Sequence, residues 1–187
     1  MSTAPRQGLN ARQAETVDRL LAAGKAVLEE VGPEELTIRT VAARAGVSPA
    51  TAYTYLASKN HLFAEIYLRH IADHPAPHVD GTPTERLAAA VRHLATTLLS
   101  TPHLAAAANT ALLASDPEVD RLRLAIGAEF WRRFSTSLGE ATTPEVMDAV
   151  MFAFSGALLQ AGMGMLTTDD TLIRLDRVVK IATRGLA

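Results

Sequence analysis

The chain contains no cysteine among its 187 residues. That excludes a disulfide framework, thiolate metal ligands and a cysteine nucleophile, and it suits a reducing cytoplasm, the expected location. The first fifteen residues, MSTAPRQGLNARQAE, lack the apolar core of a secretory leader and are expected to form a flexible arm. No segment alternates apolar and polar residues as a strand would, and there is no internal repeat or low-complexity tract. A GxSxG elbow, an HExxH pair and a dinucleotide glycine fingerprint are all missing, so catalysis has no support and no cofactor is implied. Gly24-Lys25 imitates a phosphate loop only superficially: Arg19 stands where the first glycine belongs and Ala26 where Ser or Thr belongs. What remains is 48% hydrophobic and 20% charged, enough to bury a core in one domain or two small ones.

The informative segment is LTIRTVAARAGVSPATAYTYLASKNHL, from Leu36 to Leu62. Thr37 is placed to cap a short helix whose Ile38, Val41, Ala42 and Ala45 recur at helical spacing. Gly46 ends that helix, and Ser48 caps a second one with Pro49 at its first position, where the missing N–H costs nothing. Ser58 starts a third. Two short helices joined by a glycine turn form a helix-turn-helix, which lays its second helix in the DNA major groove.

This segment resembles the DNA-binding part of the tetracycline repressor (TetR) family of bacterial regulators. The resemblance rests on the Thr at the first helix start, Val41-Ala42, Ala45-Gly46-Val47-Ser48, Tyr53, Tyr55 and Lys59, and it covers about residues 16–70. It implies that Thr37, Thr51, Tyr53, Tyr55 and Lys59 grip phosphates of double-stranded DNA, and that Arg39 stands where some members read a base. Pro49 and Ala50 occupy positions often polar or basic in the family. The second helix, 48–56, holds no Lys, Arg, Asn or Gln and so lacks the usual bidentate base readers. Ser48, Pro49, Ala50, Thr51, Tyr53 and Thr54 offer hydroxyls and small apolar surface instead, suited to phosphate, thymine-methyl and water-mediated contacts. Ala42, Ala45, Val47, Ala52 and Leu56 are assigned to the core. The net charge of −2 is not the basic balance of many DNA binders. Counterion release depends on where the cations sit, however, and Arg6, Arg12, Arg39, Arg44 and Lys59 are expected on one side with Glu29, Glu30, Glu34 and Glu35 turned away.

The fold class follows as all-α: an N-terminal helix-turn-helix domain over 1–73, with its core at 11–70, and a C-terminal helical effector-binding and dimerisation domain over 74–187. The first helix is expected over 11–31, ended by Gly32-Pro33, and a fourth over 58–73; HPAPHVDGTPT (74–84) is the linker. Further helices are expected over 84–100, 103–114, 116–138, 143–166 and from 168 to the end.

Between Asp148 and Asp169 lies AVMFAFSGALLQAGMGMLTT, without a charge. Its length matches a bilayer, yet Ser155, Gly156, Gln160, Gly162 and Gly164 dilute it and its flanks show no positive-inside bias, so no membrane partner is expected. A soluble helix apolar all round has to be covered on every side. A second copy is the expected cover, with Ser155, Gly156, Ala161, Gly162, Leu175 and Val179 at a homodimer interface that the family resemblance also implies. That resemblance further implies a small-molecule pocket; its candidate lining is Leu94, Leu98, Phe130, Trp131, Phe134, Met151, Phe154 and Leu158, suited to an apolar effector. Function reads as a dimeric transcriptional regulator, a repressor of a palindromic operator released by such a ligand. The alternative is a metal sensor built on His70, His74 and His78, the first two being four residues apart on one helix.

Overall fold

The computed structural model describes residues 11–186, and among them every regular element is helical. The helices are α1 (Ala11–Glu35), α2 (Ile38–Arg44), α3 (Pro49–Tyr55), α4 (Lys59–Asp73), α5 (Pro83–Leu99), α6 (Pro102–Leu113), α7 (Pro117–Leu138), α8 (Pro144–Gly162) and α9 (Thr168–Ala182). A single 3-10 turn, Gly139–Ala141, links α7 to α8. Five helices, α3 and α5 through α8, open on proline, where its fixed φ is already helical. Gly32 breaks α1 as expected, at φ 77°, but a last helical turn follows it to Glu35.

One feature ends both α2 and α8. Gly46 and Gly164 sit at φ 66° and 73°, and the residue after each donates back to a carbonyl five positions earlier: Val47 to Ala42 and Met165 to Gln160. This Schellman closure satisfies orphan carbonyls and needs a left-handed residue that a side chain disfavours. It stops α8 at Gly162, short of the expected 166.

The buried residues form one continuous core from Val17 to Val179. Leu87, Val91, Leu94 and Leu98 give α5 its buried face, covered by α7, α8 and α9. Phe154 of α8 stands edge-on to both Phe130 and Phe134 of α7, with ring centroids 5.1 Å apart in each pair. Such geometry contributes beyond the area buried.

α4 joins the N-terminal helices to the rest. It packs on α1, but chiefly on α6 and α7. Alongside α7 it runs in parallel, held near both ends. At its start Ser58 Oγ accepts from His61 N at 2.9 Å and donates to Asp116 Oδ2 at 2.6 Å, while Asp116 Oδ1 caps α7 by accepting from Glu118 N at 3.0 Å. At its far end Arg133 of α7, only 5% exposed, donates to the carbonyls of Ile71 and His74. Separately, His103 Nδ1 of α6 donates to Leu28 O of α1 at 3.0 Å.

Candidate nucleic-acid interface

Three hydroxyl caps aim the helices of the reading head. Thr37 and Thr40 bond reciprocally, each backbone N–H reaching the other's Oγ1 at 3.1 Å, which forms a capping box at the start of α2. Ser48 Oγ accepts from Thr51 N at 3.1 Å and starts α3; Ser58 starts α4. Ile38, Val41, Ala42, Ala45, Ala52 and Leu56 are buried, and Val47 packs against them. With Ala52 and Leu56 anchored inward, Pro49, Ala50, Tyr53 and Thr54 share the opposite, exposed face of α3. Thr37, Arg39 and Ser48 are exposed as well. α3 therefore presents its outer surface to solvent, free of the protein's own body.

Hydrogen bonding separates these groups. The Thr54 hydroxyl donates to Ala50 O at 3.1 Å, and the Ser48 and Thr51 hydroxyls bond each other at 2.9 Å, so part of their capacity is used locally. Tyr53, 53% exposed, has a hydroxyl with no partner among the described residues. Tyr55 and Lys59 are less available than expected. Tyr55 is half-buried against the core; Lys59 is half-buried, donates to Glu34 O at 3.1 Å and lies 5.8 Å from the Phe63 ring centre.

The expected separation of charge is only partly realised. Arg44 forks onto Glu30 at 2.8 and 2.6 Å, and its hydrogen bonds hold the Glu30 carboxyl below the usual range. Cation and acid face each other across α1 and α2 rather than opposite sides. Arg39 and Arg12 remain exposed without an ion pair among the described residues, and Arg6 lies outside those residues.

The metal-sensing arrangement does not assemble. Among the described residues no three His, Cys, Asp or Glu side chains come together as a metal site. His70 Nε2 donates to Thr97 O at 3.2 Å, His74 Nδ1 donates to His70 O at 2.8 Å, and His78 pairs with Asp80 on the surface. One nitrogen of buried His70 and one of exposed His74 are thus taken by backbone carbonyls, while His70 Nδ1 is buried without a partner among the described residues.

In the C-terminal half an apolar cleft of about 350 Å³ lies between α6, α7 and α8. Of the expected lining, Phe130 and Leu158 reach it. Leu94, Leu98, Phe134 and Phe154 are solid core, Met151 is packed against that core, and Trp131 is 43% exposed on the surface of α7. Helical spacing identified apolar residues but not which side of each helix borders a void. Sequence reasoning missed Tyr67 of α4, which closes the cleft beside Asn109, Ile126 and Gly127. Tyr67 is 4% exposed, its hydroxyl has no partner among the described residues, and burial pushes its pKa well above the ordinary phenol value. A tyrosine on an otherwise apolar stripe was the only signal available.

The expected partner-facing residues also divide. Leu175 and Val179 are buried within the chain, because α9 turns that face onto α5 and α8. A Cβ on Gly162 would lie 2.1 Å from Asn109 Nδ2, so this glycine admits a side chain of its own α6. Ser155 is exposed, Ala161 half-buried, and Gly156 has open space where a side chain would be. The large apolar side chains that do face outward here are Phe152, Met163, Met165, Ile173 and Ile181.

Comparison with known proteins bears on the family and the fold. Residues 20–66, spanning the helix-turn-helix, match the model for bacterial regulatory proteins of the tetR family. An HTH-type transcriptional regulator of Mycobacterium tuberculosis is 42% identical over 179 residues, covering 94% of this chain and 84% of that one. A TetR transcriptional regulator from Rhodococcus sp. RHA1 superposes with a TM-score of 0.80 at 20% identity, covering 95% of this chain and all (100%) of that one. FadR from Bacillus subtilis, solved in complex with stearoyl-CoA, has a TM-score of 0.60 at 17% identity, covering 91% and 100%. Among the described residues no helix is long and apolar enough to cross a membrane. The chain belongs to the TetR family: it is a helix-turn-helix transcriptional regulator, not an enzyme.

Proposed function

We propose that the chain acts as a homodimeric repressor that reads a palindromic operator through α3 and is released by a small, largely apolar ligand in the α6–α7–α8 cleft. The observation that carries the DNA reading is the outward face of α3, with Pro49, Ala50, Tyr53 and Thr54 exposed opposite buried Ala52 and Leu56. On this reading Thr37, Ser48, Thr51, Tyr53, Tyr55 and Lys59 hold phosphates. Pro49, Ala50 and Thr54 lie against the groove, and Arg39 contacts a base. Phe152, Met163, Ile173 and Ile181 supply the apolar surface that a second copy would cover, giving two reading heads for two half-sites.

The ligand reading draws on the apolar walls of the cleft and on FadR, a protein of related fold solved in complex with stearoyl-CoA. An occupant would touch Tyr67, and so α4, directly. Its unequal affinity for the DNA-competent and incompetent states is what would shift the equilibrium.

The test is a footprint of the purified protein on the DNA beside its own coding region, followed by anisotropy titrations at several salt concentrations. Affinity is expected to fall steeply with salt. Tyr53→Ala should weaken operator and non-operator DNA alike, whereas Arg39→Ala should relax preference at one base position. Unchanged binding by both variants would remove α3 and its neighbour from the interface. Phe152→Glu should yield monomers in sedimentation; a persistent dimer would place the interface elsewhere.

A further inference from the structure

A second cleft, of about 410 Å³, opens beneath the linker between α4 and α5. Arg86, Arg132 and Arg133 line it, with Thr136 and Ser137 alongside. Charge here is out of balance. Arg132 and Arg133 share one carboxylate, Glu129, at 2.7 and 2.8 Å. Arg86 has no carboxylate among the described residues: it donates to the carbonyls of Ser137 (2.8 Å), Gly81 (2.6 Å) and Leu138 (3.3 Å). The acid beside it in sequence, Glu85, is committed to Thr82 at 2.8 and 2.9 Å. At the rim, Asp80 lies beside His78 with both side chains almost fully in solvent, which screens its charge from the cleft. The carbonyl ends of α4 and α7, which Arg133 and Arg86 cap, each supply roughly half a negative charge. Three guanidiniums against one carboxylate and two helix ends leave about one positive charge uncompensated.

We propose that this cleft binds a small phosphate-bearing anion, separately from the apolar cleft. Guanidinium forks match phosphate oxygens two at a time, and the Thr136 hydroxyl adds a neutral donor, whereas the Ser137 hydroxyl already donates to Arg133 O at 2.9 Å. Occupancy bears on the reading head, because Arg133 also holds the last carbonyls of α4 at Ile71 and His74. An anion that draws Arg133 toward the cleft competes with those carbonyls and loosens the C-terminal hold on α4.

The experiment is calorimetric titration of the full chain with pyrophosphate, and in parallel with succinate, at matched ionic strength. One pyrophosphate per chain is expected, bound more tightly than succinate. Arg132→Gln, a change at a largely exposed side chain, should weaken binding about tenfold, the scale of one charge-assisted fork. Glu129→Gln should tighten it, since the competing carboxylate is gone, and a gain of affinity cannot arise from misfolding. Absent binding, binding indifferent to both substitutions, or succinate equal to pyrophosphate would each overturn the assignment. None of these outcomes depends on the operator or on an apolar effector.

Discussion

The reading head and the C-terminal half are held in different ways. In the head, hydroxyls three residues from their partners set the direction of α2, α3 and α4. In the C-terminal half local caps also start α5, α7, α8 and α9, but the helices are fixed against one another by groups distant in sequence: Phe154 between two rings of α7, Arg133 on the end of α4, Asn109 against Gly162. Local caps make the head's shape nearly independent of what surrounds it, and its outer face stays free for a partner. Long-range packing makes the other half sensitive to any change of volume, and it leaves imperfections, among them the two clefts.

Mutations can sharpen or break this contrast. The largest effect should come from Phe154→Ala, at about 3–5 kcal/mol of stability lost together with two aromatic pairs. A thermal melt reads it, and a loss under 1 kcal/mol would mean the core has room to collapse. Asp116→Ala, which removes the cap of α7 and the acceptor of Ser58, should cost about 1–2 kcal/mol. It should also speed hydrogen exchange in the first turn of α4; protection there as in the parent would show that the head holds that turn alone. Thr37→Ala is expected to cost about 1 kcal/mol and to leave exchange in α7 and α8 untouched, as a purely local cap requires.

Acidity probes the junction. Burial pushes the His70 imidazole below its ordinary value, so the unfolded chain binds the proton first. Stability is then full above a pH of about 6.5 and declines as pH falls from there toward the lowered folded-state value. Denaturant midpoints should trace that slope, and His70→Gln should flatten it. The smallest effect belongs to Arg44→Ala. Its pair with Glu30 is solvated on both sides, and the melting midpoint should not move measurably.

The same contrast explains what was legible in the sequence. Caps, glycine stops and proline starts are written within a few residues, so the helix-turn-helix and most other helix limits could be read directly. Residue spacing also distinguished Ala52 and Leu56 from Tyr53 and Thr54. It could not say that Leu175 and Val179 face inward, nor that Gly162 serves Asn109, because those facts depend on which neighbour arrives. Arg44 carried the same limitation: whether a surface cation is free depends on an acid fourteen residues away in sequence. Tyr67 gave only the weak sign of a phenol on an apolar stripe, and Arg86 and Arg133 gave no local sign of the cleft they border.

The parallel run of α4 along α7 has a mechanical corollary. Ser58 on Asp116, Glu65 near Arg121 at 3.4 Å, and the end of α4 on Arg133 tie the two rods at top, middle and bottom. A rod lashed at three points neither slides nor pivots alone. Should two copies pair as proposed, the spacing between their heads would be adjusted by whole subunits tilting against each other, unless the lower lashing is first untied.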